Sequence, residues 1–283
     1  MNSDVFAVVL AAAALHALWN AAVRGGADKR LAMCAVVLGH VPLAVLALVI
    51  VEWPARASLP WLVASVVLHT GYQFALSAAY RVGELGHVYP LARGSAPLIV
   101  TGVSFVFLGE RLGFATLLGV ALVVSGVIAM GAVAYGARRS DTQATQLALL
   151  TGLFIAGYSL VDGVGARLSA SPVGYYALMS LINAGVMGAV FWRRDRTVFS
   201  RLHGEARLAF WGGGSASFVA YACVVWAFTH APLAAVTALR ESSIVFALLF
   251  GTLLLGERPS RARVCAALVV VAGIVLLRVT RGG

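Results

Sequence analysis

Leu108-Gly109-Glu110-Arg111 and Leu255-Gly256-Glu257-Arg258 are one tetrapeptide met twice, 147 positions apart, and each copy is followed by an apolar run, to Met130 and to Leu277. The register holds on both sides of it. Val123-Val124 matches Val270-Val271, Gly126-Val127 matches Gly273-Ile274, and upstream Arg93 and Ser95 match Arg240 and Ser242. Matches held at a single offset identify two copies of one unit. In each copy Gly ends an apolar segment and the Glu-Arg pair meets headgroups or water, so the motif reads as a turn that fixes the register of the repeat. A second reading gives Glu110 and Glu257 arginine partners across the two halves, where they would act as gates.

Composition states the environment. The 283 residues are 61% hydrophobic and 11% charged, with a mean hydropathy of +0.92, against about 25% charged in soluble proteins. No water-soluble fold of this length hides so much apolar surface. The net charge of +10 does not mark a nucleic-acid partner, because the basic residues lie in short connections between apolar runs, as anchors and orientation signals do. Cys34, Cys223 and Cys265 sit inside apolar runs without metal-ligand spacing and are expected to be small buried hydrophobes. The first apolar run lacks a signal-peptide pattern and is expected to stay as a helix.

Ten spanning segments follow, each near the roughly 20 residues that a hydrocarbon core of about 30 Å requires: 5–23, 31–51, 61–80, 85–108, 113–134, 145–166, 172–191, 208–228, 233–255 and 264–279. The predicted fold is an all-α integral membrane protein of ten transmembrane helices. Five per half place the first repeat in residues 1–137 and the second in 138–283, with the boundary in the polar linker that holds Arg138, Arg139 and Asp141. An odd number of helices per repeat inserts the second copy upside down. Odd-numbered connections carry 14 Lys and Arg, while even-numbered connections and termini carry five. The odd connections are therefore expected in the cytoplasm and both termini outside, in a bacterial inner membrane. Glycines such as Gly119, Gly126 and Gly188 suit close helix packing. The run Gly212-Gly213-Gly214 suggests a flexible point.

Ionisable groups at membrane depth cost a few kcal/mol and are functional candidates by default. Arg93, flanked by Pro90 and Pro97, and Arg240, followed by Glu241, are equivalent under the repeat. Arg93 is a candidate contact for a substrate carboxylate, or else a structural arginine bonded to freed carbonyls. Adjacent helix positions do not share a face, so Arg240 and Glu241 can reach different helices. His16 and Asn20 share a face of the first segment, beside Trp19; His69 and Gln73 share one of the third, beside Tyr72. Tyr158 and Asp162 repeat that spacing in the sixth, where Asp162 is a candidate proton carrier. Tyr89, Tyr176 and Tyr221 are candidate cavity walls, and Tyr175 and Trp226 candidate interfacial residues. Amides can hydrogen-bond amino or carboxyl groups, aromatic rings can stack on an apolar side chain, and histidine titrates in a range convenient for proton coupling.

Leu18-Trp19-Asn20 and the repeated Leu-Gly-Glu-Arg turn with its Gly-punctuated helix resemble the drug/metabolite transporter superfamily in its ten-helix EamA type. The resemblance runs from about Val5 to Leu277. It implies export of small metabolites, often amino acids, through a central cavity opened to either side in turn, with aromatic amino acid exporters of the YddG kind as the nearest functional guide. It also implies both termini in the cytoplasm, opposite to the charge count. The expected partners are a small-molecule substrate and the bilayer, with no cofactor, no metal and no nucleic acid. The expected unit is a monomer, a homodimer being the alternative. No phosphate-binding Gly-x-x-x-x-Gly-Lys motif is present to couple transport to ATP. Two other classes stay open: a membrane-embedded enzyme on a lipid-linked substrate with Asp162, His16 or His69 as acid or base, and a channel.

Overall fold

Every predicted span is helical, the second and ninth with an interruption, in the computed structural model, which describes residues 1–23, 28–83, 85–135, 142–256 and 258–279. The helices are α1 (Ser3–Val23), α2 (Lys29–Leu38 and Val41–Ile50), α3 (Leu59–Val82), α4 (Leu85–Phe107), α5 (Phe114–Tyr135), α6 (Thr142–Leu168), α7 (Pro172–Arg194), α8 (a π-helical turn Leu208–Gly213 continued by Gly214–Phe228), α9 (Leu233–Arg240 and Ser243–Leu255) and α10 (Arg261–Val279). Ten of these stretches are long and apolar enough to cross a membrane. Their outer faces carry bare apolar side chains, among them Phe107 at 77% and Phe114 at 81% exposure. Water would penalise such surface heavily; hydrocarbon does not. The start of α1 and the end of α10 lie on one side, where Arg278 of α10 donates to Ser3 Oγ of α1 at 2.8 Å.

The packing reproduces the repeat. α1 lies against α8 and α9 of the second half, and its equivalent α6 lies against α3 and α4 of the first, while α2 meets α7 and α5 meets α10. Each half thus wraps its first helix into the other half, which is how two inverted copies close around a common centre. Arg138, Arg139 and Asp141, which mark the expected boundary, lie outside the described residues. The glycines of the two repeated turns share one conformation: Gly109 and Gly256 take φ of 65° and 67°. That left-handed conformation ends α4 and α9 and explains the glycine in both copies.

Glycines also set the closest helix pair. A Cβ on Gly126 of α5 would stand 2.6 Å from Val270 Cγ2, and one on its repeat equivalent, Gly273 of α10, would stand 2.7 Å from the Gly119 carbonyl oxygen. Backbone oxygen cannot move aside as a side chain can. Gly273→Val is therefore expected to lower stability by about 1–3 kcal/mol, read as an earlier thermal transition in detergent; an unchanged transition would mean that α5 and α10 are not tightly packed.

Three local expectations need correction. The second span is not continuous: it breaks at Gly39-His40, because Pro42 cannot donate to the preceding turn and the Gly39 backbone packs on the Phe210 carbonyl of α8. Gly214 serves that same contact, since a Cβ there would stand 2.6 Å from Gly39 Cα; its small size permits close approach and does not mark a flexible point. Cys34 is buried, but Cys265 is exposed on the outer face of α10.

Candidate functional site

Helix geometry puts the candidate residues well inside the apolar layer. At 1.5 Å per residue, Arg93 lies roughly 12 Å from the start of α4 and Asp162 roughly 9 Å from the end of α6. Arg93, Arg240, Glu241 and Asp162 are all at least nine-tenths buried. Four ionisable side chains at such depth require partners.

Asp162 is the most fully satisfied. Its carboxylate accepts from Tyr221 Oη of α8 at 2.8 Å and from Tyr175 Oη of α7 at 3.3 Å, and meets His69 Nε2 of α3 at 3.0 Å. Four helices from both halves are tied at one carboxyl group. The rings of these partners build an aromatic wall: His69 stacks on Tyr158 at 4.1 Å, Tyr72 and Tyr221 meet Tyr158 edge-on at 5.6 and 5.8 Å, and Tyr176 meets Tyr221 at 5.0 Å. Such offset and edge contacts are the favourable aromatic geometries. Tyr175, expected at the membrane interface, is instead wholly buried in this network.

The second centre is the break in α9. Its two pieces end and restart at Arg240 and Ser243, leaving Glu241 and Ser242 in the interruption. Arg93 of α4 reaches across: its Nε donates to Glu241 Oε2 at 2.9 Å and its Nη2 to Ser243 Oγ at 3.3 Å, with Tyr89 beneath the guanidinium at 5.7 Å. Arg93 is thus committed to a buried ion pair between the repeats. Arg240 has no such carboxylate partner among the described residues. Its Nη2 donates to Tyr158 Oη at 3.1 Å, its guanidinium stands 5.3 Å from the Tyr221 ring, and its Nη1 has no hydrogen-bond partner. The repeat is broken in charge here, because the position equivalent to Glu241 is Gly94.

The remaining candidates lie around these two centres. His16 of α1 is within electrostatic reach of Arg93 and Arg240 and meets Trp19 edge-on at 5.4 Å. Asn20 turns its amide back to the His16 carbonyl at 2.7 Å, so that donor serves its own helix. Trp19 packs against the apolar cluster that contains Leu31, Leu202 and Phe210, apart from the aromatic wall. Gln73 donates to Asn183 of α7 at 3.0 Å, and Asn183 donates to Thr70 at 3.0 Å, a cross-half tie between α3 and α7. Sequence reasoning missed His40, whose ring stands 6.0 Å from Phe218 and 6.4 Å from Tyr176 and whose Nε2 is buried without a partner. Its signal was legible as Gly39-His40-Val41-Pro42, a helix-breaking pattern with a polar residue inside.

Charged side chains also join the halves at both membrane faces. On the side of the even connections, Glu110 accepts from Leu233 N with both oxygens at 3.0 Å and pairs with Arg167 at 2.9 Å; Arg167 in turn donates to the Phe228 and Ala231 carbonyls at 2.9 and 3.2 Å. A first-half glutamate therefore caps the start of α9 and holds the end of α6. Glu257, its repeat equivalent, lies outside the described residues. Glu110→Ala is expected to cost about 1–2 kcal/mol of stability. With the native cysteines replaced, it should also speed labelling of a cysteine at buried Thr237 by an impermeant thiol reagent; unchanged labelling would remove the gate role.

On the opposite side Arg201 pairs with Asp28, Asp195 and Glu205 at 3.1, 3.3 and 2.9 Å. The Leu31 amide, then Arg201, holds the Asp28 carboxyl below its usual range; hydrogen bonds from Thr197, then Arg201, do so for Asp195, and Arg201 for Glu205. Carboxyls depressed in this way contribute above the ordinary carboxylate range and lose that contribution as pH falls through the lowered values. The stability difference between the wild type and Arg201→Gln should accordingly be present near neutral pH and vanish in acid; a difference that persists in acid would exclude the ion pairs as its source.

Two inverted five-helix repeats around a buried polar centre, with polar junctions between the halves at each face, define a multi-pass membrane transporter. Residues 143–279, the second repeat, match the EamA-like transporter family, a match that supports a place for the chain in the drug/metabolite transporter superfamily. Among the solved structures that match, one crystal structure of a protein is 17% identical and superposes with a TM-score of 0.79 over 99% of each chain, a likeness of fold. No curated protein matches the chain.

Proposed function

We propose that the protein exports amino acids, aromatic ones included, or related small metabolites across a bacterial inner membrane by alternating access. The observation that carries this reading is the centre itself: Asp162, His69, Tyr158, Tyr221 and Arg240, drawn from both halves, present charge and aromatic surface where only apolar side chains would otherwise be stable. Aromatic walls suit an apolar side chain, and the charged groups suit its polar end. Rocking of one repeat against the other would expose that centre to each side in turn, with the Glu110–Arg167 and Asp28–Arg201 junctions opening alternately. His16, Trp19, Asn20, Tyr72, Gln73, Tyr89, Arg93, Tyr176 and Glu241 complete the proposed substrate path and its support. The excess of basic residues in the odd connections supports termini on the outer side, and one chain suffices to enclose the path.

Proteoliposomes loaded with labelled phenylalanine, threonine or glutamine, with and without a pH gradient, test the reading. Protein-dependent loss of at least one label is expected, and acceleration by the gradient would identify proton coupling. Flux of none of the three overturns the substrate claim.

A further inference from the structure

The break in α9 places opposite charges, buried from solvent, at the interface between the repeats. Three consecutive side chains there, Arg240, Glu241 and Ser242, are 5%, 2% and 1% exposed, and each keeps one buried polar atom without a partner: Arg240 Nη1, Glu241 Oε1 and Ser242 Oγ. Buried polar groups in folded proteins are overwhelmingly paired, and an unpaired one costs its full desolvation. Each of the two charged side chains is half used. Arg240 spends Nη2 on Tyr158 and Glu241 spends Oε2 on Arg93, which fixes both while leaving one guanidinium nitrogen and one carboxylate oxygen free. Gly94 stands where Glu241 would stand in the other half, so of the two equivalent helices α4 and α9 it is α9 that offers a cation and an anion side by side.

We infer that Arg240 and Glu241 are the two poles of a zwitterion site, Arg240 Nη1 taking the substrate's α-carboxylate and Glu241 Oε1 its α-ammonium, with Ser242 Oγ as an added hydrogen-bond partner. This deepens the amino acid reading above and rests on it. The N–H groups of the guanidinium nitrogen donate charge-assisted hydrogen bonds to a carboxylate, and a carboxylate oxygen is the matching acceptor for an ammonium group. The Tyr158 and Tyr221 rings beside Arg240 would then receive the apolar side chain. A discontinuous helix at a repeat interface is also where transporter folds place substrate, because the interruption opens polar groups at depth without exposing them to lipid. Recognition by both poles selects against the corresponding acid and the corresponding amine, since either would leave one charge buried and unmet.

The test uses three probes on the purified, detergent-solubilised protein: L-phenylalanine, 3-phenylpropionate, which keeps the carboxylate alone, and 2-phenylethylamine, which keeps the ammonium alone. Phenylalanine is expected to bind at least about tenfold more tightly than either analogue. Glu241→Gln should weaken phenylalanine about tenfold and leave phenylpropionate unchanged or tighter; Arg240→Gln should weaken phenylalanine and spare phenylethylamine. The comparison of the three probes on the unaltered protein needs no variant to fold. Phenylpropionate or phenylethylamine binding as tightly as phenylalanine overturns the paired site while leaving amino acid transport standing. Binding of none of the three, with no amino acid flux from proteoliposomes, overturns the amino acid reading and the paired site together.

Discussion

Asp162→Asn is expected to reduce substrate flux on the order of 10- to 100-fold, the loss that accompanies removal of a charged hydrogen-bond partner worth roughly 1.5–3 kcal/mol. The carboxylate meets Tyr221, Tyr175 and His69 at 2.8, 3.3 and 3.0 Å. Both hydroxyls are donors at an acceptor-only group. An asparagine amide nitrogen would confront one of them, so the network has to reorganise. The effect extends beyond one bond, because Tyr221 also lies beneath Arg240 and His69 stacks on Tyr158. Flux from proteoliposomes, with the amount of folded protein matched by gel filtration, measures it. Asp162→Glu, which keeps the charge and shifts it by one methylene, should retain more activity than Asp162→Asn. Equal flux in all three proteins would reduce Asp162 to a packing residue.

Arg93→Gln is expected to destabilise the protein by about 3–5 kcal/mol, the cost of stranding one partner of a buried ion pair. Glu241 would then keep its charge at 2% exposure with its Arg93 partner gone and Oε1 already unpaired. The double variant Arg93→Met, Glu241→Leu removes both charges and should recover most of the lost stability, since well-packed apolar pairs often replace buried ion pairs without penalty. Thermal transitions in detergent for the wild type, Arg93→Met, Glu241→Leu and the double variant form a double-mutant cycle. Losses in Arg93→Met and Glu241→Leu that simply add in the double variant would show that the two side chains act independently. The cycle also separates the two readings open for Arg93 from sequence alone, because a residue that serves only substrate would leave stability untouched and change flux.

Most of the fold is written in the chain. Ten apolar runs and one offset of 147 residues suffice for ten helices in two inverted sets, because a bilayer leaves a spanning segment almost no alternative to a helix. What was not legible is where those helices break. The Glu241-Ser242 interruption carries no proline or glycine, so nothing local announces it; tertiary contacts from Arg93 to Glu241 and Ser243 hold it. Gly39-His40 could have been read from Pro42, three residues past Gly39. Depth marked Asp162, Arg93 and Arg240 as candidates, but depth is silent about partners, so Arg93 and Arg240 looked alike under the repeat. Their difference lies in Glu241 facing a Gly94 counterpart, a comparison available in the sequence once the register is fixed. Tyr175 and Tyr176 are adjacent and buried alike; which ring meets Asp162 depended on α7 packing against α6, which no one-dimensional pattern encodes.

The missing counterpart of Glu241 bears on how such a carrier idles. Were the halves identical, exchanging their shapes would convert an inward-open carrier into an outward-open one of equal energy, and the empty protein would divide its time evenly. The differences between the halves, the unmatched Glu241 among them, break that degeneracy, so under the proposed alternating access the unloaded molecule is expected to rest mainly toward one compartment. Half-saturation measured from the two sides should then be unequal even though, with no driving gradient, net movement still stops at equal concentrations.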